Sequence, residues 1–442
     1  MLSEIETLQT AADELVRTAL AIRASIAALS ALPVLNTPVT VTPGTPGTPA
    51  TVATNAPFRQ KSEALHKTLS KEERQAQGIF FTPKPIRDRL MEVLDLHGVA
   101  PTSILEPSFG SGEFLYDAHA KYPAATLYGV EKNPALYASV ALPGARLTEA
   151  DFLAYPPTPV DLILGNPPYF VTKAKDPACM TGRGNIYVQF LYACVTKHLN
   201  PDGVLAFVLP TSFYNCAYYQ PCRNALRRST TILHCEQLSG GFYETAQDTM
   251  LLVLRNRPSA DASYFVTIRE QALLSPHYRE LEALLRGSTT LEALGFQVKT
   301  GEVVWNEHKE DLHDTVGTLL LYSGNIVDNH IALKATMTGG KKQYLQKCRK
   351  DPVRGPAIAV CRGYGNAFHL SYASIPETLT FYGENHLNVI TPATEAAAAR
   401  IPQVLASFAD PRTADFLRMF VGNGALSKTE LESVLPIFCE RG

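Results

Sequence analysis

The chain has 442 residues, 45% of them hydrophobic and 19% charged, with a formal net charge of −2. That length accommodates two globular domains plus accessories, and no apolar run reaches the roughly 18 residues of a membrane span. A near-neutral charge gives no global sign of a nucleic-acid partner, so any such partner must show in how charge is distributed.

The N-terminal segment is heptad-like. Ile5, Leu8, Ala12, Leu15, Ala19, Ile22, Ile26 and Leu29 alternate spacings of three and four. The pattern predicts a helix over 1–32, either a short oligomerisation coil or a lone amphipathic helix docked on the body. Glu4 and Glu6 stand where a secretory signal would be basic, so an intracellular, cytoplasmic setting is expected. Residues 33–57 are uncharged and rich in Thr, Pro, Gly, Val and Ala, which predicts a semi-extended, disordered linker.

From about residue 58 the pattern becomes α/β. A charged helix, Lys61–Gln75, leads into Phe81-Thr82-Pro83, and a second helix runs from Pro85 to Leu96. Apolar runs of strand length recur at 103–105, 126–130, 162–164, 204–209, 232–235 and 250–254, several of them separated by helical stretches. Alternation of this kind predicts a doubly wound, Rossmann-like sheet over 58–261.

Chemistry-bearing residues follow the strands. Glu106-Pro107-Ser108-Phe109-Gly110-Ser111-Gly112 comes after the first. Gly110 and Gly112 would let the backbone approach a ligand. Glu106 would repel phosphates, so the loop suits a ligand carrying an ammonium group. Glu131 closes the second strand, where an acid typically holds ribose hydroxyls. Asp151-Phe152 follows, an edge acceptor and a ring for an adenine. Together they describe a pocket for a nucleoside with an amino-acid tail, which S-adenosylmethionine fits. Asn166-Pro167-Pro168-Tyr169 then stands at the carboxyl end of another buried strand, where open α/β sheets bind ligands. An amide, two rigid imides and an aromatic ring suit methylation of an exocyclic nitrogen on a nucleobase.

Beyond residue 262 the alternation is lost. Short strands, glycines and basic residues mix, predicting a second, mixed α+β domain over 262–442. Lys334, Lys341, Lys342, Lys347, Arg349, Lys350 and Arg354 are accompanied by one acid, Asp351. This tract reads as a local face for phosphates. The eight cysteines form no CxxC pair, so no zinc or other metal site is expected.

In order and type these motifs resemble those of the γ-class, TaqI-like N6-adenine DNA methyltransferases of restriction–modification systems. The resemblance covers about residues 75–257. It implies S-adenosylmethionine as cofactor, held by Thr82, Glu106, Pro107, Ser108, Gly110, Gly112, Glu131, Asp151 and Phe152. It makes Asn166, Pro167, Pro168 and Tyr169 the catalytic tetrad. Tyr169 would stack on a flipped target base, with Phe242 of Gly241-Phe242-Tyr243 on the other face. Phe109 departs from the family, where a smaller residue is usual, and puts local packing in question. The family places target recognition after these motifs, which assigns double-stranded DNA to 262–442. Lys341, Lys342, Lys347, Arg349, Lys350, Arg354 and Arg362 are the candidates for backbone contact. The helix and linker leave no room for a nuclease ahead of the catalytic half, so a cognate endonuclease would be a separate chain. The same tetrad serves RNA and protein-glutamine methyltransferases, and a non-catalytic DNA-binding module on a retained methyltransferase fold is a further alternative.

Overall fold

The computed structural model describes residues 82–173, 176–182, 184–238, 248–260, 263–268, 271–333, 339–363, 369–420 and 426–438. The N-terminal helix, the linker, the Lys61–Gln75 helix and Gly241-Phe242-Tyr243 lie outside them. The described residues all belong to one compact unit, Ser62–Gly442.

Seven strands form the first sheet: β1 (Ser103–Glu106), β2 (Thr126–Glu131), β3 (Arg146–Glu149), β4 (Val160–Gly165), β5 (Leu199–Pro210), β6 (Thr231–Leu238) and β7 (Thr249–Arg255). Their order is β3-β2-β1-β4-β5-β7-β6. The pairs from β3 through β5 are parallel, and β7 runs antiparallel to both β5 and β6. Helices α1 (Lys84–Leu96), α2 (Glu113–Lys121), α3 (Pro134–Ser139), α4 (Ile186–Ala193) and α5 (Gln220–Ser229) connect or precede them.

Both faces of this sheet are covered, which is why its inner strands read as unbroken apolar runs. Leu162 and Leu164 of β4 pack with Leu90, Leu94 and Leu115 from α1 and α2. Ile163 between them faces the opposite core, with Tyr187 and Leu191 of α4. The expected strands and the Pro85–Leu96 helix are present. β3 gave no apolar run, because Arg-Leu-Thr-Glu is an edge strand with no buried residue. Local signals set the helix starts. Pro134 follows Asn133, whose side chain accepts from the Ala135 and Leu136 amides and caps α3.

Phe109 is accommodated by a vacancy in β2. Its side chain is buried, and a β-carbon placed on Gly129 would lie 2.8 Å from the Phe109 ring and 2.8 Å from Leu147. A large residue in the loop is matched by the smallest one in the strand beneath it.

The second half is built differently. Phe296–Thr300, Leu387–Pro392, Ala357–Cys361 and Tyr372–Ile375 form a four-stranded antiparallel sheet. Five short strands around Thr318–Leu321 and Thr380–Gly383 form another. Helices Ile401–Ala409, Pro411–Phe420 and Lys428–Ser433 complete its main core. The boundary expected after residue 261 falls just ahead of a hairpin, β8 (Phe265–Ile268) and β9 (Gln271–Leu274), that belongs to both halves. Phe265, Ala272 and Leu274 enter the catalytic core, while Val266, Ile268 and Leu273 enter the second one. The fully buried Arg223 of α5 donates from Nε to the Ala272 carbonyl at 2.7 Å. Among the described residues no helix is long and apolar enough to cross a membrane.

Gly129→Ala should force Phe109 or Leu147 off its rotamer and cost about 1–3 kcal/mol of stability. Urea unfolding checks this, and combining it with Phe109→Ala should recover part of the loss.

Candidate active site

The connections from β1 and β4 leave in opposite directions along the sheet, since β1 is flanked by β2 on one side and β4 on the other. This is the point at which open α/β sheets form a crevice beyond their carboxyl ends. Residues that follow β1, β2, β3 and β4 there line a cavity of about 420 Å³.

Glu106, at the end of β1, is buried, and its Oε2 has no hydrogen-bond partner among the described residues. Burial, with like charge from Glu113 and Glu131, pushes its carboxyl well above the usual glutamate range, while the Leu115 amide acts in the opposite sense. An orphaned acid in a cavity is a site awaiting a cation. Pro107, Ser108 and Gly110 carry the wall onward, and the buried Ser108 hydroxyl likewise has no partner among the described residues. Gly110 has φ +54°, a conformation other residues rarely adopt. Gly112 does not line the cavity. With φ +83° it turns the chain into α2, and a β-carbon there would meet Val140 at 3.1 Å and Tyr116 at 3.3 Å.

Glu131 closes β2 and ties the loop down. Its Oε2 accepts from the Gly110 amide at 2.9 Å and its Oε1 from the Asn133 amide at 2.7 Å. Burial raises its pKa, and those amides oppose the rise. Asp151 accepts from the Leu153 amide at 3.0 Å and pairs with Lys132 Nζ at 2.8 Å. Phe152 is buried between Phe190, 5.1 Å away between ring centroids, and His198, 4.8 Å away. Burial lowers His198 to about 4, so that ring packs as a neutral group.

The tetrad begins directly after β4. Asn166 and Pro168 line the cavity; Pro167 and Tyr169 do not. Asn166 Nδ2 donates to the Thr82 hydroxyl at 3.1 Å. The Thr82 carbonyl is itself fixed by Arg87 Nη1 at 2.6 Å, and Arg87 pairs with Asp117 at 2.6 Å. The Tyr169 hydroxyl donates to Asn166 Oδ1 and also lies 2.7 Å from the Val208 carbonyl. Its ring meets the edge of Tyr187 at 5.8 Å.

The cavity also includes residues that the sequence did not single out. Glu113 and Lys132 directly follow chosen motifs, a signal of position alone. Phe170, Ile186 and Phe190 look like ordinary core residues in sequence.

The basic tract lies in the second half. Lys347, Arg349, Lys350 and Arg354 are exposed. Lys350 stands 3.9 Å from Glu302, and Lys342 3.7 Å from Asp314. Lys341 sits 5.5 Å from the ring centre of Trp305 and 5.0 Å from that of Tyr322. Arg362 is separate and half-buried, its Nη1 donating to the Asn385 carbonyl at 3.2 Å.

The seven-stranded sheet with one reversed strand, the glycine turn and the acids at successive strand ends define a Rossmann-like, S-adenosylmethionine-dependent methyltransferase. Residues 158–241, which include the tetrad, match the Eco57I restriction-modification methylase family. The type II methyltransferase M.CvrRI of Paramecium bursaria Chlorella virus XZ-6E is 32% identical over 86% of this chain and 99% of its own. The modification methylase CviBIII of Paramecium bursaria Chlorella virus NC1A is 29% identical over the same shares, 86% and 99%. The solved M protein of the type I restriction enzyme EcoKI is 16% identical over 42% of this chain and 45% of its own, with a TM-score of 0.34, too distant to add weight. The chain belongs to the type II methyltransferases of restriction–modification systems. It is a DNA methyltransferase, and its methyl donor is S-adenosylmethionine.

Glu106 offers a direct check on how the cavity receives that donor. Its raised pKa means that the neutral form suits the ligand-free fold. Its stabilising contribution is complete below the pH at which an unfolded glutamate ionises and is lost as pH rises through the raised value. Glu106→Gln should therefore flatten the pH dependence of stability on the acid side of neutrality and raise the melting temperature at neutral pH. The same change should weaken S-adenosylmethionine binding, and wild-type affinity should increase as Glu106 ionises. Calorimetric titration across pH checks both.

Proposed function

We propose that the enzyme methylates the N6 amino group of adenine at a specific site in double-stranded DNA, after the base has left the helix. The observation that carries the reading is Asn166 at the carboxyl end of β4. Its amide is held by Thr82 on one side and Tyr169 on the other, at the wall of the cofactor cavity.

The adenine amino nitrogen is a poor nucleophile because its lone pair is delocalised into the ring. Two acceptors aimed at its hydrogens draw the nitrogen toward a tetrahedral shape and free that pair. Asn166 Oδ1 and the Pro167 carbonyl supply them, and the fixed φ of proline holds the carbonyl rigidly. When bound, S-adenosylmethionine supplies a methyl group made electrophilic by its sulfonium. That methyl group would pass to the nitrogen, with the carbon–sulfur electron pair returning to sulfur. The surplus proton on nitrogen passes to solvent. Within the cavity, Glu106 would hold the ammonium group, Glu131 the ribose hydroxyls, and Asp151 with Phe152 the adenine. Lys132 pairs with Asp151 and orients it.

The amino group is out of reach inside a duplex, so the base is flipped. The Tyr169 ring stacks on it, and Phe242 is assigned the second face on sequence grounds alone. Asn in the tetrad, rather than the Ser common in cytosine-N4 enzymes, favours adenine. Residues 262–442 are assigned target recognition, with Lys347, Arg349, Lys350 and their neighbours on the phosphates, which position a protein without reading sequence. Residues 1–57 are assigned a tether and docking or oligomerisation segment, and a separate chain any cognate nuclease.

Labelled methyl transfer into duplex DNA, followed by nucleoside analysis and mapping, should give N6-methyladenine at one sequence. Label in N4-methylcytosine, RNA or protein would overturn the assignment. Asn166→Ala should lose on the order of 100- to 1000-fold in turnover, with cofactor binding retained. Replacing Lys347, Arg349 and Lys350 together should make the log–log salt dependence of DNA binding shallower by roughly 2 to 3. An unchanged slope would move the phosphate face elsewhere.

A further inference from the structure

The tetrad tyrosine does more in this chain than present a ring. β4 ends at Gly165, which is paired with Phe207 of β5, so the Val208 carbonyl lies one residue beyond that ladder. The Tyr169 hydroxyl reaches it at 2.7 Å, in place of a further strand residue. The same hydroxyl donates to Asn166 Oδ1, the oxygen assigned above to a hydrogen of the target amino group. A phenol has one hydrogen and here has two acceptors.

We propose that the Tyr169 hydroxyl is a placeholder for the target amino group: it holds Asn166 Oδ1 while the pocket lacks a base, and swings to the Val208 carbonyl when the base arrives. The proposal rests on the reading that Asn166 accepts from that amino group. Three features of the geometry support it. The Asn166 amide is pinned at its other end by Thr82, so its oxygen stays aimed as the donor changes. The second acceptor is main chain within the buried strand β5, so it does not move away. The Tyr169 ring is braced by Tyr187, and Tyr187 is held by Ser212 at 3.2 Å, so the change requires a rotation of the hydroxyl hydrogen and a small withdrawal of the phenol oxygen from Asn166, without a new ring rotamer. No bond to a heavy atom is made or broken, and hydrogen-bond numbers balance. The amino hydrogen replaces the phenol hydrogen on Asn166, and the phenol hydrogen moves to Val208. Tyr169 is thus a positioning residue through its hydroxyl as well as a stacking surface through its ring.

The consequence is a distinctive tolerance. A target base without an amino group leaves the hydroxyl where it was, so the wild-type pocket should accept purine nearly as well as adenine. Tyr169→Phe keeps the ring and removes the placeholder. The amide oxygen has then lost that donor, which a base with an amino group replaces and purine does not.

The test measures binding of duplexes carrying adenine or purine at the mapped methylation position, with S-adenosylhomocysteine present to prevent turnover. Wild-type affinities should agree within roughly threefold. In Tyr169→Phe the purine duplex should bind about tenfold or more weaker than the adenine duplex, as for a polar group left short of a partner. Single-turnover methylation of adenine should slow about tenfold while the Kd for S-adenosylmethionine is unchanged. Equal weakening of both duplexes, or a variant indistinguishable from wild type, overturns the proposal. Should the variant lose cofactor binding, the wild-type comparison decides alone, and a wild-type preference for adenine beyond about a hundredfold overturns it. An active Asn166→Ala enzyme looks different: it removes the underlying reading, whereas equal weakening in Tyr169→Phe with Asn166→Ala inactive removes only the hydroxyl's role.

Discussion

The site depends on one register. Leu105 of β1 lies beside Ile163 of β4, so the two strands end at the same level of the sheet. Glu106 ends the first and Asn166 follows the second. A buried acid and an amide are thereby brought to one crevice by main-chain pairing alone. A shift of one residue along either strand would send the adjoining side chains to opposite faces. The paired runs Ile104-Leu105 and Leu162-Ile163-Leu164 resist such a shift, because each run feeds two different cores. The geometry needed for transfer is therefore maintained by residues that never meet the substrate.

The crevice also stores an electrostatic deficit. Glu106, Glu113 and Glu131 line one cavity, and the deepest of them has an oxygen without a partner. In a structural core such an arrangement would be replaced by apolar residues, since isolated buried charge is costly. Under the proposed function a ligand carrying positive charge resolves the deficit, and part of the stability of the loaded enzyme would then reside in its cofactor. The amides of Gly110 and Asn133 offset Glu131, and Lys132 offsets Asp151 beside it.

Most of the catalytic fold was legible because it is doubly wound. Fully buried strands leave continuous apolar runs, and acids or glycines that interrupt their ends stand out. β3 was illegible as a strand for the converse reason, since an edge strand of Arg-Leu-Thr-Glu buries nothing. Gly112 looked like a ligand contact because glycine signals conformational freedom without saying what the freedom is for; here it starts a helix. Phe109 looked like a misfit because its compensation, Gly129, lies twenty residues away on another strand. Phe190 reaches the cavity from α4 with a sequence like that of any core aromatic. The second half was read only as a change of pattern. Strands of two to six residues carry too few alternations for periodicity to register, and its contacts are set by long-range pairing such as Phe296 with Pro392.

The β8–β9 hairpin bears on how enzymes of this architecture could diversify. New sequence specificity is simplest to acquire when a recognition segment is traded as a cassette. In this chain the seam is stitched: alternate residues of one hairpin fill two cores, and a buried arginine grips its backbone from the catalytic side. A recombination junction at residue 262 would strip Phe265, Ala272 and Leu274 from the catalytic core and leave the Arg223 guanidinium without the Ala272 carbonyl. Productive crossovers must fall after the hairpin, near residue 275, so that the donor segment begins with a core built to accept Val266, Ile268 and Leu273. Exchange of the second half is thus constrained by packing at the seam between the two cores.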